Sequence, residues 1–152
     1  MKTLYKEDTE EFLKISEKNQ DAEKVFTISA EINKIDRDAF LPFAYVQNLT
    51  LKSESEYFCV KNNCLFEKST GRLYFAAHEN QDFAENIVLP QEIKEINLYA
   101  FPANIHFAEI PVAVQEIPIK AAKSAEFKSF IETRNQKVKA KRERIQAIKN
   151  LL

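Results

Sequence analysis

The sequence predicts an α/β solenoid: short, mostly β, built from degenerate repeats, with an inserted β-hairpin and helical ends. Three observations predict it. The segment from Phe26 to Phe40 recurs further along the chain with its apolar positions in register. Gly71 is the only glycine, which excludes the glycine-rich phosphate cradles of Rossmann and P-loop folds. The last thirty or so residues, from about Ser124 on, contain no Gly or Pro and are rich in Lys, Arg, Ala and Glu, a helical composition. At 152 residues, 45% apolar and 30% charged, the chain is long enough for one globular domain. Twelve phenylalanines and no tryptophan point to a core filled with rings.

In chain order, residues 1–24 are expected to form an N-terminal capping helix. Asp8 or Thr9 can cap it, Glu10 and Glu11 suit its first turn, and Phe12, Leu13 and Ile15 supply an apolar edge. Such a helix would cover the open first coil, because bare strand edges invite pairing with other chains. The opening MKTLYKEDTEEF carries acids early and has no apolar signal-peptide core. No stretch approaches the roughly 18 apolar residues of a membrane span. A cytoplasmic location is therefore expected. There, Cys59 and Cys64 are expected to be small apolar side chains and not a disulfide or metal pair.

Residues 25–122 carry the repeat. FTISAEINKIDRDAF (26–40) aligns with IVLPQEIKEINLYAF (87–101) at an offset of 61, without gaps. Ile28 meets Leu89, Ile32 meets Ile93, Ile35 meets Ile96, and Ala39-Phe40 meets Ala100-Phe101. A third copy follows at an offset of 21, with Ile110-Pro111, Val114, Ile117 and Ala121 in the same places, and Ala122 in place of the phenylalanine. A partial copy, Val46, Leu49 and Leu51, lies between. A period in the low twenties fits one short strand, a turn and a return leg. Stacking such coils pairs their strands in parallel. Ile28, Leu51, Leu89 and Ile110 are then expected to stand side by side in one sheet. The alanine before each ring allows close packing, and the ring fills the space between the two legs.

Residues 54–80 read as an insertion. Lys61-Asn62-Asn63 and Ser69-Thr70-Gly71 are turn signals that separate three short aromatic and β-branched runs. A hairpin or three-stranded meander is expected to project from the stack and lean its phenylalanines on it.

These residues resemble the BspA-type (Treponema pallidum-type) leucine-rich repeat, over about residues 25–122. The resemblance rests on Leu89-Pro90, Ile93, Ile96 and Ala100-Phe101, on Ile110-Pro111, Val114 and Ile117, and on the inserted segment from Phe58 to Lys68 followed by Leu73-Tyr74-Phe75. Ser29 stands where the pattern has proline. The resemblance implies an α/β leucine-rich-repeat solenoid whose function is binding.

Residues 123–152 are expected to form one long helix. Ile131, Val138, Ile145 and Leu152 recur every seven residues, with Phe127 and Ile148 on the other seam and Arg134 and Lys141 interrupting it. Three roles are open: capping the last coil, pairing with another helix in a homodimer, or touching nucleic acid or anionic lipid through Lys137, Lys139, Lys141, Arg142 and Arg144. Basic runs on helices are usually solvated faces, which disfavours nucleic acid. Charge is nonetheless divided. Residues 1–119 hold 12 basic and 20 acidic side chains, and residues 120–152 hold 10 and 3.

No catalytic motif of the H-E-x-x-H, C-x-x-C or G-x-S-x-G type occurs. His78 and His106 belong to different coils. Cys64 with His78 is the one conceivable dyad, and Glu54/Glu56 and Asp82/Glu85 read as solvated loop acids. No enzyme activity, cofactor or metal is expected. Binding has the better physical basis. With the anchors pointing inward, alternate residues point outward. That set is Val25, Thr27, Asn48, Thr50, Asn86, Val88, Phe107 and Glu109, a mixed surface suited to a protein partner.

Overall fold

Two hydrogen-bonded turns recur in each copy of the repeat and give the chain its course. The computed structural model describes residues 1–16, 23–77, 86–103 and 105–152. The amides of Ile32, Ile93 and Val114 donate to the carbonyls of Ser29, Pro90 and Pro111, each at 3.1 Å. Seven residues on, the amides of Ala39, Ala100 and Ala121 donate to Asp36, Asn97 and Pro118 at 3.0–3.1 Å. Both sets of donors stand 61 and 21 positions apart, the offsets of the sequence repeat. All six donor side chains are buried. At two of the three alanines a neighbouring group approaches closely enough to bond the carbonyl. Thr9 Oγ1 donates to the Ala39 carbonyl, and the Ala76 amide donates to that of Ala100.

The result is a mostly β solenoid of about three turns with a C-terminal helix. Its elements are β1 (Lys2–Leu4), α1 (Lys6–Ser16), β2 (Lys24–Ile28), β3 (Ile32–Ile35), β4 (Leu49–Ser53), β5 (Phe58–Lys61), β6 (Cys64–Glu67), β7 (Arg72–Ala76), β8 (Asn86–Val88), β9 (Glu95–Ile96), β10 (Phe107–Glu109) and α2 (Ala125–Leu151). The first legs of the coils pair in parallel, β2 with β4 and β8 with β10. On the return legs, β1 pairs in parallel with β3, and β7 with β9. β5, β6 and β7 form an antiparallel meander.

The four anchor residues do not share one sheet, which corrects the sequence reading. Ile28 and Leu51 lie in one hydrophobic cluster, whereas Leu89 is buried in a second and Ile110 packs against it. Within the first pair the register is also two residues off, since Phe26, not Ile28, stands opposite Leu51. The physical cause is the insertion. The meander does not project. It stands between the two parallel pairs, and its turn occupies the missing rung. Asn62 and Asn63 both take the left-handed conformation (φ 50° and 58°) that a tight two-residue hairpin requires. Asn63 then bonds β4 as a neighbouring strand would, accepting from the Leu51 amide and donating to the Leu49 carbonyl, both at 2.8 Å. On the other side Asn62 donates to the Val88 carbonyl at 2.6 Å.

The meander also forms the wall between the two clusters. Cys64, Phe66, Leu73 and Ala76 face the C-terminal cluster, whereas Phe58, Leu65, Tyr74, Phe75 and Ala77 face the N-terminal one. A register shift in the β6–β7 pairing at Leu65/Phe66 lets the adjacent Tyr74 and Phe75 share the N-terminal side. Gly71 closes the β6–β7 turn at φ 71°, where a Cβ would lie 2.6 Å from the Glu92 carbonyl oxygen of the next coil. Backbone geometry and space both require glycine there.

The ends are more than simple helices. At the N-terminus, strand β1 precedes α1 and covers the open edge of β3. Asp8 and Thr9 are not N-caps: the helix begins at Lys6, and Asp8 reaches back to accept from the Tyr5 amide. Phe12 packs edge-on against Phe26 and Phe43. At the C-terminus, Ser124 caps α2 by accepting from the Phe127 amide and also donates to the Ile105 carbonyl. Phe127 and Ile131 are fully buried, and Phe127 meets Phe101 edge-to-face, replacing the ring that Ala122 lacks.

Candidate protein-binding faces

Strand alternation places the predicted outward residues in two groups. In the first pair Val25 lies opposite Thr50, and Val25 is 42% exposed. Thr50 is half-buried, with its hydroxyl donating to Glu23. Thr27 is exposed opposite Lys52, a residue the sequence reading passed over. Asn48 is not in the strand. It sits at φ 54° just ahead of β4, with its carbonyl accepting from the Lys24 amide. In the second pair the backbone of Asn86 lies opposite Phe107, and Val88 lies opposite Glu109. Val88, Phe107 and Glu109 are exposed. Phe107 leans one edge on Phe130 of α2, with ring centroids 6.0 Å apart. The Asn62-Asn63 turn stands between the groups, so the outward surface is two patches with a polar bridge.

On the return-leg side lies a broad groove of about 980 Å³, unforeseen because its walls come from four separate stretches of chain. Its charges are mixed and partly satisfied. Arg72 pairs with Glu95 at 3.0 Å, and Glu116 with Arg142 at 2.6 Å. Arg72 is held above its ordinary value by that bond to Glu95, and burial raises Tyr74.

α2 closes the last coil with polar side chains. Arg134 donates to the carbonyls of Pro111, Val114 and Gln115, and Asn135 both accepts from the Ile117 amide and donates to its carbonyl. These groups supply the partners that a further coil would have given. Beyond Arg142 the helix runs on with Ile145, Ile148 and Leu151 exposed.

Of the residues considered for chemistry, those described form no catalytic pair. Cys59 lies opposite Phe66 and Cys64 opposite Lys61, and both thiols are free. His106 Nε2 lies 4.0 Å from Glu126. His78, Asp82 and Glu85 lie outside the described residues. Among the described residues no three His, Cys, Asp or Glu side chains gather, and no helix is long and apolar enough to cross a membrane. The chain matches no protein-family model, no curated protein and no solved structure.

Proposed function

We propose that this chain is a non-enzymatic protein–protein interaction module of leucine-rich-repeat type, holding a protein partner on the outward face of its parallel strands. One observation carries the reading. Val25, Val88 and Phe107 stand exposed on strands whose intervening residues Phe26, Ile87 and Ala108 are buried. Apolar side chains held outward on a rigid backing suit a partner surface, because little ordering entropy is lost on docking. Location in the cytoplasm belongs to the same proposal.

Affinity capture of the full chain from its native host, with mass spectrometry, tests it. The expected outcome is a protein captured by the wild type and lost with Thr50→Arg and with Phe107→Ala, each shown to be folded by circular dichroism. The alternative reading is a nucleic-acid-associated protein that uses the basic helix, favoured by the exposed Lys137, Lys139, Lys141 and Arg144. It expects binding that falls steeply with salt and is lost in Lys137→Gln/Lys139→Gln/Lys141→Gln, with Thr50→Arg indifferent.

A further inference from the structure

α2 and the coil it closes do not meet along their whole length. Between the Ile110–Gln115 stretch and the outer half of the helix runs an open groove of about 540 Å³. Apolar side chains line it from both walls. Ile110 and Val138 are half-buried, Val112 is 87% exposed and Ile145 is 46% exposed. Its rim is cationic. Lys137, Lys141 and Lys149 are exposed, and no carboxylate lines the groove. Among the described residues these three lysines enter no ion pair. The groove shares no residue with the strand face of the proposed function.

We propose that this groove docks an acidic amphipathic helix of a partner protein. Apolar side chains on two facing walls suit a helix that presents side chains at i, i+3, i+4 and i+7. Lysines along the rim suit glutamates or aspartates flanking that stripe, and such pairing steers the approach and fixes its direction. The charge of the groove argues against the alternatives. A second copy of α2 would bring the same lysines against these and be repelled. Single-stranded nucleic acid gains from aromatic side chains on which bases stack, and none lines the groove. A flat anionic bilayer would engage the lysines and leave the Ile110 wall unfilled.

The test uses the full chain and a fluorescein-labelled synthetic peptide about five turns long, with leucines on one face and glutamates beside them. Fluorescence anisotropy is read against a scrambled peptide, a version with lysine for glutamate, a DNA duplex and phosphatidylserine vesicles. The proposal expects the acidic amphipathic peptide to bind best. It also expects Val112→Ser and Lys137→Glu/Lys141→Glu each to weaken binding by about tenfold or more, the first by losing an apolar contact and the second by reversing two charges. Val112 is too exposed for its replacement to disturb folding. Lys128→Glu, exposed on α2 outside the groove, is expected to leave binding unchanged. Three results overturn the proposal: no binding of the acidic peptide, binding equal to the scrambled or basic peptide, or binding indifferent to Val112→Ser. Tighter binding of the duplex or the vesicles, lost with the lysines alone, also overturns it and transfers the groove to that ligand.

Discussion

Asn63 shows how one side chain can stand in for a strand. Its amide offers a donor and an acceptor in the arrangement of a peptide group, and its backbone tolerates φ 58°. Asn63→Ala should therefore cost about 2–4 kcal/mol, from two lost hydrogen bonds at about 1 kcal/mol each plus the left-handed strain of alanine. Asn63→Gly loses the same bonds without the strain and should cost less; urea denaturation of both variants checks the order. Cys64, 0% exposed on the neighbouring strand, makes a second prediction. Burial pushes its thiol from the ordinary 9.0 up to about 12. The folded protein holds this proton more tightly than the unfolded chain. The contribution is thus complete below pH 9 and is lost as pH rises toward 12, at about 1.4 kcal/mol per pH unit. Urea midpoints at pH 8 and pH 10 should fall less in Cys64→Ala than in the wild type. An equal fall in both would show that Cys64 does not titrate this way.

At the scale of elements, α2 divides at about Arg142. Its inner part buries Phe127 and Ile131 and bonds the last coil through Arg134 and Asn135. Every residue of its outer part is exposed. Deleting residues 143–152 should leave the thermal midpoint within a few degrees of wild type. Deleting 134–152 exposes the carbonyls of Val114 and Ile117 and should cost about 2–5 kcal/mol, several hydrogen bonds lost at a coil edge. Differential scanning fluorimetry separates the two. The heptad spacing of Ile131, Val138, Ile145 and Leu152 was legible as a helix, yet spacing alone could not tell capping from pairing. The side chains that bond the last coil, Arg134 and Asn135, carry no such signal: in the sequence Arg134 is only an interruption of the second seam.

At the scale of the whole molecule, two hydrophobic clusters share one wall. Phe66 projects into one and Phe75 into the other from adjacent strands of the meander. Neither cluster can lose its side of that sheet without disturbing the other. Phe66→Ala and Phe75→Ala should each cost about 3–5 kcal/mol, as large buried aromatics do. Each variant should still unfold in a single transition by both fluorescence and circular dichroism. Two separated transitions would mean that the clusters unfold independently. The near-continuous apolar runs Cys64-Leu65-Phe66 and Leu73–Ala77 were the available signal that both faces of the meander are buried, because a half-exposed strand alternates. Reading them as a hairpin leaning on a finished stack missed this.

The repeat could be read from the residues alone. Apolar side chains at fixed offsets of 61 and 21 recur because the same two turns and the same buried legs recur, and local turn chemistry is written locally. Also legible in the residues were the turns of the meander, the glycine that one of them requires, and the alternation that turns Val25 and Val88 outward. Where the meander goes, which strands pair across it and how the last coil is closed emerge from the folded chain. Those outcomes depend on contacts between residues far apart in the chain, such as Asn63 with Leu49 and Asn135 with Ile117, and no periodicity records them.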